Sequence, residues 1–318
     1  VVVSREGYAG TISASAVGPI APSGSLWNGD IAGSFGGGSG SLGDPYLINT
    51  GEQLAYLAAQ ANGGTDYNGA YFELTADLDL NGDTHEWTAI GTNTNPFKGN
   101  FDGADHVIYR LTIDELTAYY QGLFGYLSGA QVKDLGLASL NIKGKEYVGG
   151  VAGQVGYGSS IENSYSTGVV RGNRYIGGVA GYVSDRSSIE NSYSTGAVSG
   201  TNKVGGVVGF VYGNGTIQYC AALNPSVKAT GITAGWVGRV VGEINWDATA
   251  NDNVAWDGMG TGGGEPFNTN PGNAGTGKTD EELATSGTYT ALTWNFTLFW
   301  TMRPGNETYT ALPILKWQ

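Results

Sequence analysis

Ser159 to Gly168 reads SSIENSYSTG, and Ser187 to Gly196 repeats the same ten residues 28 positions later (187 against 159). The repeat extends outward. Tyr147-Val-Gly-Gly-Val-Ala-Gly153 returns as Tyr175-Ile-Gly-Gly-Val-Ala-Gly181 and again as Lys203-Val-Gly-Gly-Val-Val-Gly209, with Ile161, Ile189 and Ile217 keeping the same step. A period of this size marks a stacked array, in which each unit buries against its neighbours a face it cannot bury alone. The units carry Gly pairs, Ser, Thr, Asn and β-branched residues, a composition that disfavours helix and suits short strands broken by turns. The expected fold is therefore all-β: a parallel, right-handed β-helix or solenoid with one coil per roughly 28 residues, strands of successive coils pairing about 4.8 Å apart.

Within one coil the sequence predicts strands near Val148 to Ala152, Ser160 to Ser166 and Val169 to Arg171, with turns at Gly156 to Gly158, Gly168 and Gly172-Asn173. Val151, Val179 and Val207 should form one apolar column and Ile161, Ile189 and Ile217 another. Asn163 over Asn191 suggests an amide ladder, and Tyr165 over Tyr193 an aromatic stack. Glu162 falls over Glu190, which places both on a solvated face, with Arg186 or Arg174 as relieving cations.

These motifs resemble the GLUG motif found in tandem in large bacterial surface proteins, including noncatalytic parts of immunoglobulin A peptidases. Two full copies and a looser third carry the resemblance. An earlier variant at Gly122-Leu-Phe-Gly-Tyr-Leu127 and a later one at Val237-Gly-Arg-Val-Val-Gly242 extend it. Upstream, Phe35 to Gly40, Asp44 to Ile48, Leu74 to Leu80, Trp87 to Gly91 and Phe97 to Gly103 are similar to what precedes such repeats, and the ending from Trp300 to Gln318 is similar too. The resemblance implies a scaffold exposed outside the cell, on the surface or secreted.

Four segments follow: a β-prone arm or linker at 1 to 25, an N-terminal cap with leading coils at 26 to 115, the repeat solenoid at 116 to 257, and a Gly-rich loop with a C-terminal cap at 258 to 318. Thr50-Gly-Glu-Gln53 has capping-box spacing, and Leu54, Leu57, Ala58 and Ala61 recur at helical intervals, predicting a helix at 51 to 62 that covers the open end of the sheets. Thr279-Asp-Glu-Glu282 opens a second, shorter helix. Trp294, Phe296, Leu298 and Trp300 alternate as a strand would, and Pro313 to Trp317 suggests another. That cluster reads as a C-terminal cap, with a sugar-stacking platform as the alternative.

Fifty-five glycines follow no collagen period, and a net charge of −13 leaves no clustered cations with which to neutralise nucleic acid. No apolar run is long enough for a transmembrane segment. Without an initiator Met or a signal-peptide pattern, the chain is expected to be a mature product or a trimmed piece. Cys220, the lone cysteine, stands where Ser164 and Ser192 stand in the preceding coils, so it is expected to be a small buried residue rather than a crosslink.

No catalytic set is expected. His85-Glu86 begins a zinc-protease string but Ala89 stands where the second histidine is needed, and no nucleophile context accompanies His106. Asp102 and Asp105, with Asp114 or Glu115, offer paired carboxylates for polysaccharide cleavage, although Asp102-Gly103 is also a plain turn signal. Asp77, Asp79, Asn81 and Asp83 imitate the start of a calcium loop. Thr88 at its twelfth position and the alternation of Leu78 and Leu80 favour a strand edge and turn, and no cofactor is otherwise expected.

Three function classes remain. The first is a noncatalytic adhesin or binding stalk contacting host or neighbour-cell glycans or proteins, with Tyr119, Tyr120, Tyr157 and Trp236 as binding-face candidates. The second is a fibre subunit whose partners are copies of itself, joined through the coil ends or the arm, where Val1, Val2, Val3, Tyr8 and Ile12 are the assembly candidates. The third is a β-helix polysaccharide-degrading enzyme.

Overall fold

A computed structural model describes residues 26–231, 236–264 and 266–283, Thr285 and Thr288, and the strands at 300–302 and 313–315. The arm candidates Val1, Val2, Val3, Tyr8 and Ile12 lie outside the described residues, as do Trp294, Phe296, Leu298 and Trp317. The protein is a parallel β-solenoid. One coil runs from Glu146–Val148 to Ala152–Gly156, then Ser160–Glu162 and Tyr165–Arg171, before Arg174–Gly177 starts the next. Equivalent strands stack into four parallel sheets of eight, eleven, five and five strands.

The first sheet contains the isoleucines. Its inward column runs Tyr46, Phe72, Phe101, Val132, Ile161, Ile189, Ile217 and Ala250, each paired in register with the next. The expected valine column is also present, extended by Leu123 and Val240, and Val151, Val179 and Val207 are wholly buried. Full burial of such a side chain is worth about 1.5–3 kcal/mol relative to exposure. Tyr165 and Tyr193 stack at 5.1 Å, nearly coplanar at 9°.

The strand boundaries differ from the sequence expectation in two places. Val148 to Ala152 is not one strand: Gly149 to Val151 form the corner between the third and fourth sheets. A Cβ at Gly149 would lie 2.3 Å from the Ala152 carbonyl oxygen and 2.6 Å from Ala180 Cα, so backbone fills the space a side chain needs. Ser160 to Ser166 likewise breaks at Asn163, whose φ of 47° turns the chain from the first sheet to the second. Asp134, Asn191 and Asp252 adopt the same left-handed conformation one or more coils away, and Asn and Asp tolerate that region better than other side chains. The amide ladder is replaced by a different contact, since Asn163 Nδ2 donates to Asp134 Oδ1 at 3.0 Å. Gly168 is a bulge inside a strand rather than a turn, with a register shift opposite Leu137 to Leu140.

A buried hydroxyl ladder runs inside the coils. Ser164 Oγ donates to the Glu162 carbonyl at 2.7 Å, Ser192 Oγ to that of Glu190 at 2.8 Å, and Cys220 Sγ faces that of Gln218 at 3.2 Å. Cys220 therefore occupies the serine position as expected, and burial pushes its thiol up to about 12, which keeps it protonated and unreactive.

The helix falls at Gly51–Asn62, with Thr50 Oγ1 accepting from Gln53 N at 3.3 Å and Gln53 Oε1 accepting from Asn49 N at 2.8 Å. Leu54, Leu57, Ala58 and Ala61 join the same core as the coils. Part of each end of the stack is covered. Gly36 N donates to the Leu47 carbonyl and Leu47 N to that of Gly37, occupying the outer edge of the first strand. At the other end Asn268 N donates to the Val237 carbonyl, and Asn273, in the short helix Pro271–Ala274, accepts from Val240 N and donates through Nδ2 to the Val241 carbonyl. The expected Gly-rich loop thus contains a cap, and Thr276–Lys278 adds one more parallel strand to the second sheet.

Candidate binding face

The third and fourth sheets meet at the glycine corner, and the corner decides what their outer surface carries. Tyr120, Tyr147, Tyr175 and Lys203 sit mid-strand at left-handed φ of 54–60°, and the register pairs step past them, Glu146 to Arg174 and Val148 to Ile176. The left-handed kink turns the side chain out of the ladder while the register is kept. The last glycine of each motif makes room for this fold: a Cβ at Gly153 would meet Tyr120 Cα and the Tyr147 carbonyl oxygen, both at 2.7 Å. One motif therefore both turns the corner and projects an aromatic ring.

The projected rings stack along the solenoid axis. Tyr120 and Tyr147 lie 4.8 Å apart at 13°, and Tyr147 and Tyr175 4.8 Å apart at 24°. A second row from the fourth sheet packs beside them, Tyr126 on Tyr120, Tyr182 edge-on to Tyr147, and Phe210 on Tyr175. Where the third sheet carries Lys203 instead of a tyrosine, its Nζ lies 3.7 Å over the Phe210 ring and 2.8 Å from Glu243. Each stacked or cation–ring pair adds about 0.5–1.5 kcal/mol beyond area burial. Burial pushes the hydroxyls of Tyr147 and Tyr182 up to about 12, so both stay protonated donors.

Three aromatic residues on this stripe remain open to solvent: Tyr119 at 44%, Tyr157 at 65% and Trp246 at 74% exposure. Each rests on a ring beneath, Tyr119 on Tyr120, Tyr157 on Tyr126 and Trp246 on Tyr212 at 5.2 Å. Lys145 bonds the Tyr119 hydroxyl at 2.7 Å. Of the four sequence candidates, the structure brings Tyr119, Tyr120 and Tyr157 onto one stripe, with Tyr120 half-buried in the stack, and places Trp236 half-buried beside Lys203. Sequence reasoning passed over Tyr147, Tyr175 and Tyr182, although the first two recur at the repeat step immediately before Val-Gly-Gly or Ile-Gly-Gly. Trp246 had no such signal.

The acidic candidates are engaged elsewhere. Asp79 is buried and held bidentately by Arg110 Nε and Nη2, both at 2.8 Å, while Asp83 takes Arg110 Nη1 at 3.1 Å. Asp77 accepts from Val107 N at 2.9 Å and faces His106, and Asn81 Nδ2 donates to the Trp27 carbonyl. The four residues of the calcium string therefore serve one arginine and two turns, and no acidic or histidine group among the described residues is arranged to hold a metal. Asp102 and Asp134 share Lys133, and Asp114 pairs with Lys143 at 2.6 Å. Burial, with Asp134 and Asp102 nearby, raises the Asp105 carboxyl to about 6. Glu162 lies in register between Glu190, as expected, and Lys133, with neither Arg186 nor Arg174 in that register, and Glu190 is pushed up by burial and then by Glu162. Arg174 instead lies over the Tyr175 ring.

The model of the GLUG motif matches residues 144–171 and 172–199, one coil each. These coils are GLUG repeats. This chain is 33% identical over 144 residues to Halomucin of Haloquadratum walsbyi, and 33% identical over 99 residues to a "Putative Gly-rich membrane protein" of Evansella cellulosilytica. Those matches cover 42% and 29% of this chain but only 2% and 11% of the relatives' lengths. The whole solenoid superposes on the crystal structure of a "putative immunoglobulin A1 protease" from Bacteroides ovatus with a TM-score of 0.70, covering 91% of this chain and 98% of that one. At 24% identity this likeness establishes the fold alone. No helix among the described residues is long and apolar enough to cross a membrane.

Proposed function

We propose that this chain is a noncatalytic binding module, an adhesin or display stalk held outside a bacterial cell, whose aromatic stripe contacts glycans or proteins. The observation that carries the reading is the continuity of that stripe: rings from successive coils form one stack, in which Tyr126, Tyr175 and Phe210 are buried, and Tyr119, Tyr157 and Trp246 are presented on top of it. Rigid aromatic side chains backed by other rings lose little conformational freedom on binding, and such residues dominate interface energetics. The likeness to a protein described as a "Putative Gly-rich membrane protein" supports a role at the cell surface, and the occupied strand edges at Leu47 and Val237 favour a display module over a fibre built by end-to-end strand addition.

The test is capture of purified chain on an array of glycans and matrix proteins, repeated with Tyr119→Ala, Tyr157→Ala and Trp246→Ala combined. Exposed positions should leave folding intact, and the triple variant should lose about tenfold or more in affinity for whatever the parent binds. Unchanged capture by the variant, or no capture by the parent, would sink the proposal.

A further inference from the structure

The second sheet carries a different chemistry on its outer face. Its strands place Asp114, Lys143, Arg171, Ser199 and Lys228 in one register column, one residue per coil. Asp114 neutralises Lys143 at the N-terminal end. Arg171 and Lys228 make no ion pair among the described residues, and both border an open groove of about 670 Å³. Asn173, Ser199, Thr201 and Thr230 supply its polar wall. The chain has 28 acidic residues, yet among the described residues lining this groove the charged side chains are Arg171 and Lys228.

Register sets the scale. Arg171 and Lys228 are two coils apart, roughly 10 Å at the spacing of parallel strands, with the Ser199 hydroxyl between them. One coil rises about as far as one sugar residue extends in a stretched polysaccharide. A chain lying along the axis would therefore bring acidic groups on alternate sugars to the two cations. We propose that this groove binds an acidic polysaccharide, with carboxylate or sulfate groups taken by Arg171 and Lys228 and ring hydroxyls by Ser199, Thr201 and Asn173. The proposal rests on the reading of the chain as a surface binding module but uses a separate face.

An acidic peptide fits less well. A peptide gains most of its affinity for a sheet by pairing with a free strand edge. The strands Tyr165–Arg171 and Ala197–Gly200 pair on both sides between coils, and at the outer edge of Val227–Ala229 the Gly260 carbonyl accepts from Val227 N. A polyol meets the hydroxyl-rich wall with its own donors and acceptors. Arginine holds carboxylate and sulfate by paired, charge-assisted bonds, and physiological salt screens the remaining negative field beyond about 8 Å.

Calorimetric titration of the purified chain with polygalacturonate, dextran sulfate, neutral dextran and polyglutamate tests this. Binding of polygalacturonate identifies carboxylate as the recognised group, and binding of dextran sulfate identifies sulfate. Arg171→Gln with Lys228→Gln should weaken that binding tenfold or more, and Ser199→Asp, which sets a carboxylate between the cations, should abolish it. Lys98→Gln, at a cation paired with Asp66, should change nothing. The inference is overturned if neither acidic polysaccharide binds, if dextran or polyglutamate binds equally well, or if the double variant matches the parent. Should it fail while the aromatic triple variant still loses its ligand, the binding-module reading stands without this groove.

Discussion

The leading coils and the GLUG coils build the same first sheet from different materials. Before residue 116 the inward column holds Tyr46, Phe72 and Phe101, the helix Gly51–Asn62 packs on the same core, and Phe97 sits tilted against Phe72 and Phe124. From Ile161 to Ile217 the column is aliphatic, and glycine corners repeat in register. The leading coils are filled by rings together with the helix side chains, whereas the GLUG coils are filled by repeated aliphatic ones. Stacking registers both because the ladder is a backbone property and is indifferent to side-chain identity, provided that the interior is filled.

The two regions should therefore fail differently. Phe101→Ala removes a buried ring that packs on Phe124, and should cost about 3–5 kcal/mol in denaturant unfolding. A loss under about 1 kcal/mol would mean that the leading coils collapse around the cavity and do not depend on their rings. In the GLUG coils sensitivity should shift to the corners. Gly149→Ala pushes a methyl group into backbone of its own and the next coil, at a cost of about 1–3 kcal/mol or more, while Gly43→Ala, with nothing within 4 Å, should be nearly neutral. Equal melting of these two glycine variants would remove the steric account of the motif.

The smallest effect belongs to the acidic rim of the leading coils. Asp105 has a folded-state carboxyl raised to about 6 from 3.8, so between those values the folded chain holds a proton that the unfolded chain has released, and stability falls as pH rises through that window. Asp105→Asn removes the charge and keeps a side chain suited to its φ of 71°. It should raise the melting temperature slightly at pH 7 and not at pH 4. A gain at both values would assign the effect to packing rather than to the charge.

Much of this was readable in advance wherever a pattern repeats. The step of 28 fixes coil size, the Val and Ile columns follow from it, and Thr50 with Gln53 marks the helix start. The misplaced strands share one cause. Val148 to Ala152 and Ser160 to Ser166 are β-prone throughout, and only the crowding of backbone around Gly149 and the left-handed turn at Asn163 show that the chain bends there. The aromatic stripe was partly hidden for a related reason: Tyr119 and Tyr157 were noticed as turn residues, while Tyr147 and Tyr175, two residues before the motif glycines, read as ordinary strand positions until the left-handed kink turned them out of the ladder.

Repetition in the one-dimensional chain determined the architecture, because a period of identical apolar positions has few ways to bury itself other than by stacking. The sites were decided only in three dimensions. Arg110 captures Asp79 and Asp83 from another coil, Trp246 rests on Tyr212 after a turn, and Arg171 and Lys228 meet across two coils that are 57 residues apart in sequence (228 against 171). Register converts a separation along the chain into adjacency along the axis, and a single chain read end to end shows that adjacency only where its residues repeat.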